Sequence, residues 1–262
     1  MNKLGGRRHV AARGRRSKKR FVLVGSAFLI AILGGVALIP GGPRTTAVAL
    51  VKYRECFTSP APADSNNATV GFGDSITLGR SNAFTHLGAS DSYFDVLGCD
   101  PNSGINYVAN EGVKGNTTEQ MLQRLDSDVI ALHPRQVLVI GGTNDILRAP
   151  DLPTIRNLNE MKDRLVAASI TPVFGLLPPN NGKAQETKAL NAEITSWAKR
   201  ERVQLIDYWT PLSDASGHYR PGFGQDDGVH PSVDGAHIMA QVAQSVLATY
   251  RLASTASAPA GK

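Results

Sequence analysis

The stretch TVGFGDSIT at residues 69–77 sets a short apolar run against a Gly-Asp-Ser turn. A short apolar run closed by turn-forming residues reads as a buried strand. The pattern recurs at residues 105–109, 136–140, 172–177 and 203–206, each run giving way to Gly, Pro, Asn or Asp. Helical periods fill the gaps: Met121, Leu122, Leu125 and Val129 share a face, as do Ile155, Leu158, Met161 and Leu165. Leu190, Ile194, Trp197 and Ala198 form a third stripe, and Ile238, Met239, Val242 and Val246 a fourth. Each stripe is read as core packing. Strands that alternate with amphipathic helices build βαβ units, so the expected fold is α/β with a parallel sheet covered on both faces. Ligands of such sheets bind beyond the carboxyl ends of the strands. The residues that follow each run are therefore the ones to read for chemistry.

Those residues are polar and glycine-rich. Gly73-Asp74-Ser75 follows the first run, where Ser75 is either a nucleophile or simply a helix cap. The second run leads into Asn110-Glu111-Gly112-Val113-Lys114-Gly115-Asn116-Thr117-Thr118. Its glycines let backbone N–H groups approach a ligand, or serve a turn that caps a helix beginning near Thr118. The third run ends in Gly141-Gly142-Thr143-Asn144-Asp145, in which Asn144 is an amide donor or an ordinary turn residue. Near the carboxyl end stands Asp226-Asp227-Gly228-Val229-His230-Pro231. An acid and a histidine three residues apart in one loop supply two of the three parts of a Ser-His-Asp triad. Asp227 has that spacing and Asp226 does not. The other histidines, His9, His86, His133, His218 and His237, fall in the tail, in loops or on helices, and read as surface or packing residues.

The four segments together, in this order, resemble the motif blocks of the SGNH (GDSL) hydrolase family. GDSIT at 73–77 is similar to the first block with Ile76 in place of Leu, and NEGVKGNTT to the second, which puts that block's glycine at Gly115. GTND at 142–145 is similar to the third, and DGVHP at 227–231 to the last. The resemblance spans roughly residues 69–250. It implies a flavodoxin-like three-layer α/β/α fold with a five-stranded parallel sheet. It also implies catalysis by Ser75 with His230 as base and Asp227 as its acid partner, without metal or organic cofactor. The oxyanion hole would be formed by the backbone N–H groups of Ser75 and Gly115 and the amide of Asn144. Asp74 is expected to bond within its own turn.

The activity so implied is that of a carboxylic-ester hydrolase, an enzyme that forms an acyl-enzyme on Ser75. O-acetylated glycans and small acyl esters are the favoured substrates, because no long apolar insert suggests a lid. Lipid acyl esters or thioesters are the alternative within the class. An O-acyltransferase would use the same triad, and a non-catalytic binding domain would use the same fold. The stretches at 80–95, 178–187 and 211–226 are expected to shape the pocket, and their Phe84, Tyr93, Phe94, Tyr219 and Phe223 either line it or belong equally well to the core or the surface.

Charge and hydropathy locate the domain. Residues 1–44 carry ten Lys or Arg and no acid; removing these ten from the 28 in the chain leaves 18 basic against 22 acidic residues. The net charge of +6 therefore belongs to the amino-terminal tail, which argues against a nucleic-acid partner for the folded body. Residues 21–39 are nineteen uncharged, mostly apolar residues. As a helix they would span about 29 Å, close to the hydrocarbon core of a bilayer. The basic residues before them should stay in the cytoplasm and the rest of the chain outside it. The apolar length favours a transmembrane signal anchor, while Ala47-Val48-Ala49 offers a cleavage site that would release a secreted protein. Residues 1–20 are thus a basic cytoplasmic tail, 40–68 a Pro- and Ala-rich linker, 69–250 one hydrolase domain, expected as a monomer, and 251–262 a flexible tail. Cys56 and Cys99 would bridge in an oxidising compartment, or else stand as a free thiol and a small buried hydrophobe.

Overall fold

A computed structural model describes residues 67–79 and 91–256. The basic tail, the apolar stretch 21–39, Cys56, Phe84, His86 and nearly all of the linker lie outside the described residues. Five strands form one parallel sheet: β1 (Ala68–Gly73), β2 (Asn106–Gly112), β3 (Gln136–Ile140), β4 (Thr171–Gly175) and β5 (Gln204–Ile206), in the order β2-β1-β3-β4-β5. The five runs in the sequence are these five strands. β1 starts one residue earlier than expected, at Ala68, which the sequence pattern places in the linker and which is fully buried. β1 lies between two neighbours with all six residues buried, whereas β2 at the edge is mostly half-buried.

The helices follow from the handedness of the crossovers. A parallel crossover is right-handed in nearly all proteins, so moving left or right along the sheet decides which face its helix covers. α1 (Ser75–Leu78) and α2 (Tyr93–Cys99) lie on the leftward path from β1 to β2. α3 (Thr118–Asp128), α4 (Thr143–Arg148), α5 (Thr154–Ala167) and α6 (Ala184–Glu201) lie on the rightward paths and take the other face. α7 (Val233–Ala256) returns to pack on α2 and β5. The result is three layers, as expected. α7 runs past residue 250 into the segment expected to be a flexible tail.

Most helix stripes point where their period places them. Met121, Leu125 and Val129, then Leu158, Met161 and Leu165, and then Ile194, Trp197 and Ala198 are buried, with the Trp197 ring edge-on to Phe174 at 4.9 Å. The last helix differs. Its fully covered face is Ala236, Met239, Ala240, Ala243 and Leu247, and Ile238, Val242 and Val246 flank it half-buried. Alanines at that spacing bring the helix backbone close to its neighbours, which a stripe chosen for large side chains overlooks. Tyr93 and Phe94 are also core residues with no exposed surface, so they do not line a pocket. Tyr219 is buried and Phe223 half-buried against the core. Cys99 ends α2 and is disulfide-bonded; Cys56 is the chain's other cysteine.

Among the described residues no helix is long and apolar enough to cross a membrane. Strand register sets the geometry at the carboxyl end of the sheet. Gly73 is level with Gly112 of β2 and with Ile140 of β3, so three strands end side by side. Behind them, buried Asp145 ties α4 to α3 and α5. Its carboxylate accepts from Thr118 N (2.8 Å), Thr118 Oγ1 (2.5 Å) and Thr154 Oγ1 (2.7 Å). Asn157 Nδ2 completes the cluster by donating to Thr118 Oγ1 at 3.0 Å. Replacing Asp145 with Ala would strand these buried donors and should lower unfolding stability by about 3 kcal/mol. A urea titration reads this directly, and an unchanged midpoint would refute the role.

Candidate active site

The strand order reverses at β1, between β2 on one side and β3 on the other, and a doubly wound sheet opens its ligand crevice at that point. β1 delivers Ser75 there. The chain turns out of the strand into the single turn of α1, and the cap of that turn is Asp74, whose Oδ1 accepts from Ile76 N at 2.8 Å. The capping role that the sequence left open for Ser75 thus belongs to its neighbour, as expected for Asp74. Ser75 Oγ instead meets His230 Nε2 at 2.8 Å, across 155 residues of chain.

His230 arrives on a braced loop. Gln225 N donates to the His230 carbonyl at 2.9 Å, Gly228 N to the Gln225 carbonyl at 2.9 Å, and Asn181 N to the Gly228 carbonyl at 2.7 Å. Gly228 has φ of +67°, a conformation that suits glycine. Buried Tyr219 adds a bond from its hydroxyl to the Val229 carbonyl at 3.1 Å. Within the loop, Asp227 Oδ1 accepts from the N–H groups of Val229 and His230, both at 3.0 Å, and its Oδ2 meets His230 Nδ1 at 2.8 Å. Partial burial would raise the Asp227 carboxyl, but the N–H groups of His230 and Val229 and the imidazole outweigh it and hold it well below the usual range. An ionised acceptor at Nδ1 fixes the proton on that nitrogen and leaves the Nε2 lone pair facing the Ser75 hydroxyl. This chain can move a proton from Ser75 to His230. Asp226 beside it is exposed, as are His133 and His218, while His237 is half-buried on α7.

The second and third segments gather next to Ser75. Val113 N donates to the Gly73 carbonyl at 3.0 Å, which starts the loop carrying Gly115 two residues upstream of the serine. Thr117 and Gln120 form a reciprocal capping box that ends this loop and starts α3. Asn144 is buried in the first turn of α4, and its Nδ2 donates to the Asn116 carbonyl (3.0 Å) and to Asp74 Oδ2 (3.2 Å). The structure therefore brings Ser75, Asp227 and His230 into one hydrogen-bonded chain, with Asn144 and the Gly115 loop beside its serine end.

Two arginines that no sequence motif singles out complete the setting. Arg124 of α3 donates through Nη2 to the Gly73 carbonyl (2.7 Å), through Nη1 to the Glu111 carbonyl (3.0 Å), and through Nε to Asn116 Oδ1 (2.6 Å). Its ion pair with Asp128, one helical turn on, is the only part of this network with a sequence signal. Arg148 donates to Asn144 Oδ1 and to the Gly115 carbonyl. Among the described residues no group of three or more His, Cys, Asp or Glu is arranged to hold a metal ion.

Asp74 is the electrostatic outlier. It is fully buried, and desolvation raises its carboxyl from the usual 3.8 to about 6, against the Ile76 N–H and the His230 imidazole. A folded-state value above the unfolded one means that the native state binds the proton more tightly, so stability falls as pH rises from about 4 to about 6. Asp74→Asn removes this contribution. Denaturation midpoints of the two proteins, compared across that window, should show a decline with pH in the wild type that the variant lacks. Parallel pH profiles would refute the assignment.

Known proteins resemble this chain in sequence and in fold. The sequence profile of the GDSL-like lipase/acylhydrolase family matches residues 72–238, well over half of the chain. The thioesterase 1/protease 1/lysophospholipase L1 of Escherichia coli is 32% identical over 130 residues, which are 48% of this chain and 60% of that protein. An acetylxylan esterase of Geobacillus stearothermophilus is 26% identical over 157 residues, 54% of this chain and 71% of the relative. The chain thus spans 60% of the length of the first of these curated relatives. A solved structure from Desulfitobacterium hafniense, assigned to the lipolytic G-D-S-L family, superposes with a TM-score of 0.60 at 28% identity, covering 69% of this chain and 99% of that one. With its four segments assembled at the mouth of the sheet and the family profile running through all of them, the chain belongs to the GDSL-like lipase/acylhydrolase family.

Proposed function

We propose that this protein is a serine esterase that hydrolyses carboxylic esters through an acyl-enzyme on Ser75. The observation that carries the reading is the unbroken chain Ser75 Oγ–His230 Nε2, His230 Nδ1–Asp227 Oδ2, each contact 2.8 Å. His230 takes the hydroxyl proton as Ser75 attacks the ester carbonyl, and Asp227 stabilises the imidazolium that results. The oxyanion is received by the N–H groups of Ser75 and Gly115 and by Asn144 Nδ2. The Asn116 carbonyl holds one Asn144 amide proton at 3.0 Å, and the longer 3.2 Å bond to Asp74 is the one that the oxyanion replaces. His230 then returns its proton to the leaving alcohol, and a water activated by His230 releases the acid.

The favoured substrate is a small acyl ester, such as an O-acetyl group on a glycan, and the acetylxylan esterase relative supports that reading. A longer acyl chain is the second reading. It is favoured by the lysophospholipase relative. The basic tail and the apolar stretch at 21–39 support a site of action outside the cytoplasmic membrane, anchored there or released near Ala49.

Ser75→Ala should abolish both ester hydrolysis and covalent labelling by a fluorophosphonate; labelling at the native rate would overturn the nucleophile. Asn144→Ala should cost about 10²–10³ in turnover, and an unchanged rate would reduce Asn144 to a turn residue. p-Nitrophenyl esters from acetate to palmitate separate the two substrate readings. Activity that peaks at acetate or butyrate supports the small acyl group, and a peak at longer chains supports the second reading.

A further inference from the structure

Arg148 closes α4 at the surface, yet its guanidinium is committed inward. Nη2 donates to Asn144 Oδ1 at 2.8 Å and also to the Gly115 carbonyl, so one nitrogen joins two different segments of the site. The contact with Gly115 is close. A Cβ built on Gly115, whose φ is +78°, would lie 2.8 Å from Nη2 and 3.3 Å from Nη1. A side chain there would have to displace the guanidinium.

A primary amide has two ends of nearly the same shape, and rotation about its last torsion exchanges donor for acceptor. An oxyanion needs the donor end. At Asn144 the Nδ2 end meets two acceptors, the Asn116 carbonyl and Asp74 Oδ2, and the Oδ1 end meets the Arg148 cation. A flipped amide would set oxygen against oxygen on one side and N–H against N–H on the other, so every contact selects the same orientation. Of these partners, Arg148 alone pulls on the carbonyl end, which both holds the amide and polarises its N–H groups.

We propose that Arg148 is a positioning residue of the oxyanion site, one that locks Asn144 with its Nδ2 toward the acyl oxygen and pins the loop that presents the Gly115 N–H. This role rests on the esterase reading, with Asn144 as an oxyanion donor. Arg148 touches no reacting atom in it; it acts through Asn144 and Gly115.

A double-mutant cycle tests it with p-nitrophenyl acetate on the wild type, Arg148→Ala, Asn144→Ala and the double variant, alongside thermal melts. Arg148→Ala should lower kcat about 10- to 100-fold, with KM within about twofold and the melt unchanged. In the double variant the Arg148 change should cost clearly less than it does alone, because the part of its effect that passes through the Asn144 amide is already lost and only the part that passes through Gly115 remains. Penalties that multiply would overturn the proposal, as would a native kcat in Arg148→Ala or a loss that merely follows the unfolded fraction. A harmless Asn144→Ala would instead overturn the oxyanion reading, and this proposal with it; the two failures are therefore told apart by the Asn144 single variant.

Discussion

Three parallel strands that end level expose carbonyl oxygens beyond which no ladder continues, and the site depends on how those oxygens are held. Arg124 holds two of them. Its guanidinium bonds the last carbonyl of β1, at Gly73, and a carbonyl near the end of β2, at Glu111, while its charge lies 4.4 Å from the centre of the Phe72 ring. The Asn116 side chain and Asp128 take its remaining bonds. Charge-assisted bonds with little solvent to compete are among the stronger polar contacts available to a fold. The Gly73 carbonyl also accepts the Val113 N–H, so the segment before Ser75 and the segment before Gly115 share one anchor.

Buried carboxylates extend that frame. Asp145 gathers Thr118 and Thr154 from two other helices. Asp74 caps the nucleophile's own turn and reaches Asn144. A buried carboxylate is held by the donors around it, so each ties its neighbours to one geometry, although at Asp74 the donors do not outweigh burial. The His230 loop is the opposite case. It is partly exposed, and it keeps its shape through backbone bonds that involve Gln225, Asn181 and Gly228. The part that must exchange protons with solvent is therefore built on hydrogen bonds, and the part that must stay still is built on burial.

Much of this was legible in the chain. The five apolar runs became the five strands, most plainly β1 and β3, because a central parallel strand is buried on both faces and shows as a continuous apolar run. Thr118 was expected near the start of a helix and is its first residue, behind a Thr117–Gln120 box written in local spacing. The less legible features shared a physical cause. The alanine face of α7 is defined by how closely its neighbours approach, and size-weighted periodicity points to the larger residues beside it. For Tyr93 and Phe94 the chain left pocket, core and surface equally open, because an aromatic near a motif looks the same whether it turns inward or outward. Arg124 and Arg148 carried no motif, since the carbonyls they serve belong to other strands and loops.

The sequence by itself determined the alternation of strand and helix, the four motif segments in order, and the pairing of Asp227 with His230, because each of these is local: periodicity, turn chemistry and a three-residue spacing. It also set the apolar and basic pattern of residues 1–39, for the same reason. Tertiary structure alone decided that His230 comes to Ser75 from 155 residues away, that Asn144 reaches Asp74, and that Arg124 and Arg148 tie the segments together. Those outcomes depend on strand register and on which face each crossover covers, and both arise only when the parallel sheet closes and brings the ends of β1, β2 and β3 level.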